Sequence, residues 1–224
     1  MSIAERLAGV QKSFRIRRMS RFGSVFSFSH QPRILDVGGT AEIWELLRGS
    51  GAPSIVLLNM PRAGATMKTG PGMEQVYGDG CRLPFADQSF DIVFSNSVIE
   101  HVGGAEAQTR FAQEVTRVGR GYWVQTPNRY FPVEQHLLTP LVHLLPESIR
   151  AAIVRRFTVW QWIHRPAPDE KNYYVEHFVS DIRLLSATQL QQLFPGAVIL
   201  RERFLGLTKS LVAYRPRPAP SDGN

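Results

Sequence analysis

The chain has 224 residues, a hydrophobic fraction of 43%, one cysteine and a formal net charge of +7, which fits one domain with a packed core and at most a small appendage. A lone Cys81 excludes an intrachain disulfide framework and suits a reducing, cytoplasmic compartment. No apolar leader opens the chain and no uncharged, proline-free apolar stretch of about 18 residues occurs, so neither a secretory signal nor a transmembrane helix is expected.

In chain order, residues 2–19 read as an amphipathic helix, with Ile3, Leu7, Val10 and Phe14 at helical spacing. Arg6, Lys12, Arg15, Arg17, Arg18 and Arg21 crowd this end, and Arg150, Arg155, Arg156 and Arg165 form a second basic cluster. The charge is either solvated helix surface or an attraction for an anionic substrate or membrane, which makes the basic N-terminal helix (residues 1–22) a candidate peripheral membrane contact. Nucleic acid is not expected as a partner, because no helix-turn-helix, zinc-finger or RNA-binding signature accompanies the charge. Gly23 to Pro32 reads as a connector, with Phe22, Phe26 and Phe28 suggesting partial burial.

Ile34 to Val37 reads as a first strand and residues 41–49 as a helix. The strand runs into Gly38-Gly39, where the backbone can turn tightly and approach a ligand. Ser54 to Leu58 is a second strand closed by Asn59, residues 61–72 an irregular loop, and Gln75 to Tyr77 a third strand before Gly78-Asp79-Gly80. Asp91 to Ser95 is a fourth strand, residues 105–117 a helix, and Gly121 to Gln125 a fifth strand stopped by Thr126-Pro127-Asn128. This alternation argues for an α/β domain, residues 23–215, with a largely parallel sheet covered by helices on both faces. Residues 135–185 read as a helical insert or lid, rich in large apolar residues and broken by Pro140 and Pro146. Ser186 to Phe194 is a further helix. Ala197 to Phe204 and Thr208 to Tyr214 form an antiparallel pair, and residues 216–224 a disordered tail.

The strand ends carry Asp36, Asn59 and Asp79 in order, a pattern that suits an adenosine ligand at the carboxyl rim of an open sheet. Ile-Leu-Asp-Val-Gly-Gly-Thr (34–40), Gly-Asp-Gly-Cys-Arg-Leu-Pro-Phe (78–85) and the run from Phe90 through Ser95-Asn96-Ser97 to Glu100-His101-Val102 together resemble the class I S-adenosylmethionine-dependent methyltransferases, in particular the type 11 methyltransferase-domain group. The resemblance covers roughly residues 32–130. It departs from the family at two points: the third glycine of the first motif is absent, and Asn59 stands where an acidic residue is usual.

The resemblance implies a Rossmann-like, seven-stranded sheet whose last strand is antiparallel, and S-adenosyl-L-methionine as cofactor. Asp36, Gly38, Gly39 and Thr40 would line its methionine and ribose part, Asn59 and Met60 its ribose side, Asp79, Gly80 and Cys81 its adenine, and Ser95 and Asn96 its methionine end. Ser97, Asn128, Tyr130 and His136 are acceptor-side candidates. His101 is the candidate base for an oxygen acceptor, with Glu100 facing solvent or orienting it. No metal is expected: ubiquinone-type members use Glu-x-x-Glu-His, and the first acid is Ser97 here, although Glu134 and His136 could add ligands. The expected function is methyl transfer to a small-molecule or lipid-like acceptor, at oxygen. The alternative is a non-catalytic cofactor-binding or regulatory module that keeps the fold. The apolar insert leaves a homodimer contact open.

Overall fold

The computed structural model describes residues 3–26, 31–45, 53–61 and 69–216. Nine strands and seven α-helices are defined among them. The sheet is built from β1 (Arg33–Val37), β2 (Ser54–Asn59), β3 (Met73–Tyr77), β4 (Phe90–Asn96), β5 (Gly119–Pro127), β8 (Val198–Phe204) and β9 (Leu207–Arg215), in the order β3-β2-β1-β4-β5-β9-β8. The first five strands pair in parallel, and β9 runs antiparallel to both β5 and β8. The strand order reverses between β1 and β4, which opens a crevice at their carboxyl ends.

Side-chain alternation along β1 fixes which face is which. Leu35 and Val37 point into a core with Val93, Tyr122 and Val124, covered by α3 (Ala105–Val118) through Phe111 and Val115 and by α7 (Ala187–Leu193) through Leu190. Ser186 caps α7 in a reciprocal capping box with Gln189. Ile34 points to the opposite face, with Ile55, Leu57, Ile92, Phe94, Trp123 and Val212. That face is aromatic, and α1 (Ile3–Val25) and α2 (Ala41–Trp44) cover it.

The first helix differs from the expectation. It runs six residues past 19, so the connector expected from Gly23 starts later and the boundary expected at residue 22 falls inside it. Its buried positions are Phe14, Arg18, Met19 and Phe22, with Phe26 just beyond, while Val10 is exposed. The reason is aromatic packing: Phe22 meets Trp44, Phe94 and Trp123 edge-on at 5.8, 5.1 and 5.7 Å between ring centroids, contacts worth more than the Val10 stripe could offer. Phe28 lies outside the described residues.

One more boundary moves, that of the fifth strand. The helix expected over 41–49 is described only as Ala41–Trp44 with residue 45 following; its remainder, residues 62–68 of the expected loop, and the tail from 217 lie outside the described residues. Strand β5 passes through Thr126 and Pro127, because β9 supplies antiparallel partners Leu211 and Ser210; proline is tolerated at the strand's last position. After β5 come a two-stranded hairpin, β6 (Val133–Glu134) and β7 (Thr139–Pro140), a 3-10 turn, then α4 (Glu147–Arg156), α5 (Val159–His164) and α6 (Pro168–Asp181). The hairpin was not expected. No described helix is long and apolar enough to cross a membrane.

Candidate active site

Two cavities open on the carboxyl rim, and Gly38 lines both. The first, about 700 Å³, is walled by Gly38, Asn59, Met60, Asp79, Gly80, Cys81 and, across from them, Val98, His101 and Arg110. The second, about 710 Å³, lies on the β4–β5–β9 side; its walls include Asp36, Gly39, Thr40, Asn96, Ser97, Gln125 and His136, with one face of α1 (Ala8, Gln11, Lys12, Arg15, Arg18) closing it.

The glycine turn between the cavities is fixed by sterics. Gly38 has φ +76°, and a Cβ there would stand 2.4 Å from Val98 Cγ2, so only glycine fits without strain. A Cβ on Gly39 would stand 1.7 Å from Asp36 Oδ2: the turn is folded directly onto the Asp36 carboxyl. Asn59 Nδ2 donates to the Gly39 carbonyl at 3.0 Å, tying the end of β2 to the same turn. At the other end of the first cavity, Asp79 Oδ1 accepts from the Cys81 amide at 2.8 Å.

Asp36 is buried on the aromatic face. Trp44 Nε1 donates to its Oδ2 at 2.7 Å, while Oδ1 is buried without a partner. Burial pushes its pKa up to about 7, with the Trp44 bond opposing. Ser95, expected at the cofactor, is instead in the sheet interior: its hydroxyl donates to the Val37 carbonyl at 3.2 Å and it lines neither cavity. Strand alternation explains this, since Asn96 takes the outward position. Asn96 Oδ1 accepts from Arg18 Nη1, and Arg18 also grips Glu202 through Nε at 2.8 Å and Nη2 at 2.5 Å. Ser97 turns the chain out of β4 at φ +57°, its hydroxyl donating to Gln125 Oε1 at 2.9 Å.

A cluster of acid and imidazole groups forms where the 3-10 turn Ile99–His101 meets the β6–β7 hairpin. Glu100 is fully buried, which corrects the expectation that it could face solvent. Thr126 Oγ1 donates to its Oε2 at 2.9 Å, and Oε1 is buried without a partner. Burial pushes its pKa up to about 7, opposed by the nearby His136 and the Thr126 bond. His101 and His136 meet edge-on at 4.9 Å between ring centroids. His136 Nδ1 is 2.6 Å from Glu134 Oε1, and the second Glu134 oxygen accepts from the Leu137 amide at 2.6 Å. Burial pulls the His136 pKa down, but Glu134 and Glu100 outweigh it and the net shift is upward. One donor atom from each of Glu100, His101 and His136 lies within 4.8 Å of the others, a spacing a cation could bridge.

Of the residues singled out from sequence, Asn59, Met60, Asp79, Gly80, Cys81 and His101 converge on the first cavity. Asp36, Gly39, Thr40, Asn96, Ser97 and His136 converge on the second, and Gly38 borders both. Asn128 and Tyr130 line neither: Asn128 Nδ2 is spent on the Thr208 carbonyl at 2.8 Å, and Tyr130 is exposed. The side chains of Tyr173, Tyr174 and His177 lie outside the description. Sequence reasoning missed Gln125 and Lys209 in the second cavity and Arg110 in the first. The spacing of Ala8, Lys12, Arg15 and Arg18 on one helical face was a readable signal for the α1 wall.

Residues 35–121 match a protein family described as a methyltransferase domain. Comparison with curated proteins returns no match. Among solved structures the fold is similar to the PH0226 protein of Pyrococcus horikoshii (TM-score 0.56, 13% identity, 92% of this chain and 91% of that one). It is also similar to a chain of the complex between the Haloferax volcanii Trm112 methyltransferase activator and a methyltransferase (0.52, 13%, 95% and 90%). A third is the [4+2]-cyclase SpnF (0.50, 15%, 83% and 57%). The chain spans about half the length of some of its neighbours, 47% for a Galdieria sulphuraria chain and 57% for SpnF. At these identities the likeness is one of fold.

Proposed function

We propose that the protein is a class I S-adenosylmethionine-dependent methyltransferase, as the match of residues 35–121 to a methyltransferase-domain family supports, and that it transfers a methyl group to an oxygen of a small-molecule or lipid-like acceptor bound in the second cavity. The carrying observation is that one glycine, Gly38, lines both cavities. A ligand reaching past it from the first cavity arrives beside the second.

The first cavity fits the adenosine part of the cofactor. Asp79 keeps one carboxylate oxygen for the exocyclic amine after Oδ1 accepts from Cys81. Asn59 keeps its amide oxygen for a ribose hydroxyl after Nδ2 is used on Gly39. The bare Gly38 and Gly39 backbone lets the methionine part pass close to the turn. The cofactor supplies an activated methyl on a sulfonium.

The protein's share is positioning and proton removal. His101 borders the first cavity and His136 the second, so His136 is the better placed base. With the Glu134 carboxylate on Nδ1, the ring proton resides there, and Nε2 carries the lone pair that takes the acceptor's proton. His101 braces the ring edge-on, and Glu100 stands behind both as a buried acid.

The test is calorimetric. S-adenosylhomocysteine binds, and Asp79→Ala or Asn59→Ala weakens it about tenfold, as loss of one charged or polar contact should. No heat at millimolar ligand in a folded sample sinks the methyltransferase reading. His136→Ala lowers turnover about 10²–10⁴-fold and leaves S-adenosylhomocysteine affinity unchanged. Binding with no product from a broad acceptor panel would favour the non-catalytic module.

A further inference from the structure

The second cavity is electrically lopsided. Lys12, Arg15, Arg18 and Lys209 line it, against Asp36 and Glu42. Arg18 is cancelled by its two bonds to Glu202. Asp36, pushed up to about 7 by burial, is only partly ionised at neutral pH. What remains is Lys12, Arg15 and Lys209 against Glu42. Among the described residues no carboxylate lies within ion-pair distance of those three cations.

Lys209 is the telling member. It is half-buried, with Nζ over the Phe14 ring at 4.4 Å from the centroid. Its pKa is lowered, by burial first and by Arg18 second, with Glu202 opposing. Its position on β9 is fixed from the acceptor side: its carbonyl accepts from the Asn128 amide at 3.0 Å and from Gln135 Nε2 at 2.9 Å, next to His136. Its nearest opposite charge, Glu202, is held by Arg18 and Ser210, and a cation partly stripped of water with no direct ion pair is a cost to the fold unless a ligand supplies the charge.

Resting on the reading of the second cavity as the acceptor site, we infer that the acceptor is an organic anion whose carboxylate or phosphate is held by Lys209, with Arg15 and Lys12 facing it from α1. Phe14, Ile43 and Phe94 give its body an apolar wall, and Gln11 and Gln125 offer uncharged hydrogen bonds. The net positive wall also draws such a ligand in from solution.

The experiment uses the full chain saturated with S-adenosylhomocysteine, titrated calorimetrically with benzoate, phenyl phosphate and neutral benzamide. At least one anion binds about tenfold or more tightly than benzamide, and which one tells carboxylate from phosphate. Lys209→Gln abolishes the preference. So does Arg15→Gln, an exposed site that keeps the inference testable if the first variant unfolds. S-adenosylhomocysteine affinity stays the same in both.

Anions binding no better than benzamide, or a preference indifferent to both variants, overturns the inference. It is also overturned if the variants weaken S-adenosylhomocysteine but not 5′-methylthioadenosine, which lacks the amino-acid carboxylate; the cations would then serve the cofactor. If S-adenosylhomocysteine fails to bind while the titration repeated without it keeps the anion preference, the methyltransferase reading falls and the anion site stands.

Discussion

Gly38→Ala is the sharpest perturbation of the rim. Two costs combine. An L-residue at φ +76° sits in the left-handed region, which costs about 1–2 kcal/mol. The new methyl also lands 2.4 Å from Val98 Cγ2, and overpacking of that kind costs about 1–3 kcal/mol. The sum is ~2–5 kcal/mol, a large part of a total stability of about 5–15 kcal/mol. The two parts separate in a double-mutant cycle. Val98→Ala removes the obstacle and leaves the φ penalty, so Gly38→Ala should cost about 1–3 kcal/mol less in the Val98→Ala background than in the parent. Urea denaturation of the four proteins measures the cycle. S-adenosylhomocysteine calorimetry on the same samples should show weaker binding even in the rescued double variant, because the methyl lies at the junction of the cavities. A Gly38→Ala cost under about 1 kcal/mol, or no rescue by Val98→Ala, refutes the steric account of the turn.

Breaking the Arg18–Glu202 pair from one side, by Arg18→Met or Glu202→Leu, should destabilise by about 3–5 kcal/mol; the double variant should recover much of that, since no buried charge is then left alone. Denaturant unfolding of the three variants decides it. Burial pushes Asp36 and Glu100 up to about 7 in the folded protein, against ordinary values of 3.8 and 4.5. Between roughly pH 4 and 7 the folded state holds protons the unfolded chain has shed, so stability falls as pH rises through that window, by up to about 4 kcal/mol per group. Asp36→Asn and Glu100→Gln should each flatten the profile of denaturation midpoint against pH; an unchanged slope in both removes the buried-acid account. Finally, with Glu100, His101 and His136 handling a proton, turnover is insensitive to EDTA. A loss restored by Mg²⁺ would make that trio a metal centre.

The sheet was legible because its central strands β1, β2, β4 and β5 are largely buried and read as short apolar runs; Asn59 and Asp79 follow such runs and line the first cavity, whereas Asp36 lies inside β1, buried against Trp44. The glycine turn was legible for the same local reason. What escaped was non-local. No spacing in residues 3–25 says that Phe22 will find Trp44, Phe94 and Trp123, so the face of α1 was read from Ile3, Leu7, Val10 and Phe14, of which Phe14 is buried and Val10 exposed, while the side chains of Ile3 and Leu7 lie outside the described residues. Ser95 was misread by a single alternation step, which sends Asn96 outward and the serine hydroxyl to Val37. The two-residue strands β6 and β7 are too short for any periodic signal, yet they carry Glu134 to His136 and His136 to His101. Lys209 is one lysine in an ordinary alternating strand until α1 lies across it.

The grip of Arg18 on Glu202 joins residues 184 positions apart. It therefore sets an order of assembly. During synthesis α1 emerges before β8, and the Arg18 guanidinium has no Glu202 carboxylate to meet until the β8–β9 hairpin has been made. Phe22 can seat the far end of the helix on Trp44, Phe94 and Trp123 before the carboxylate that anchors its cavity-facing part is made. A nascent chain stalled before Glu202 should hold the sheet's parallel strands with this wall still ajar.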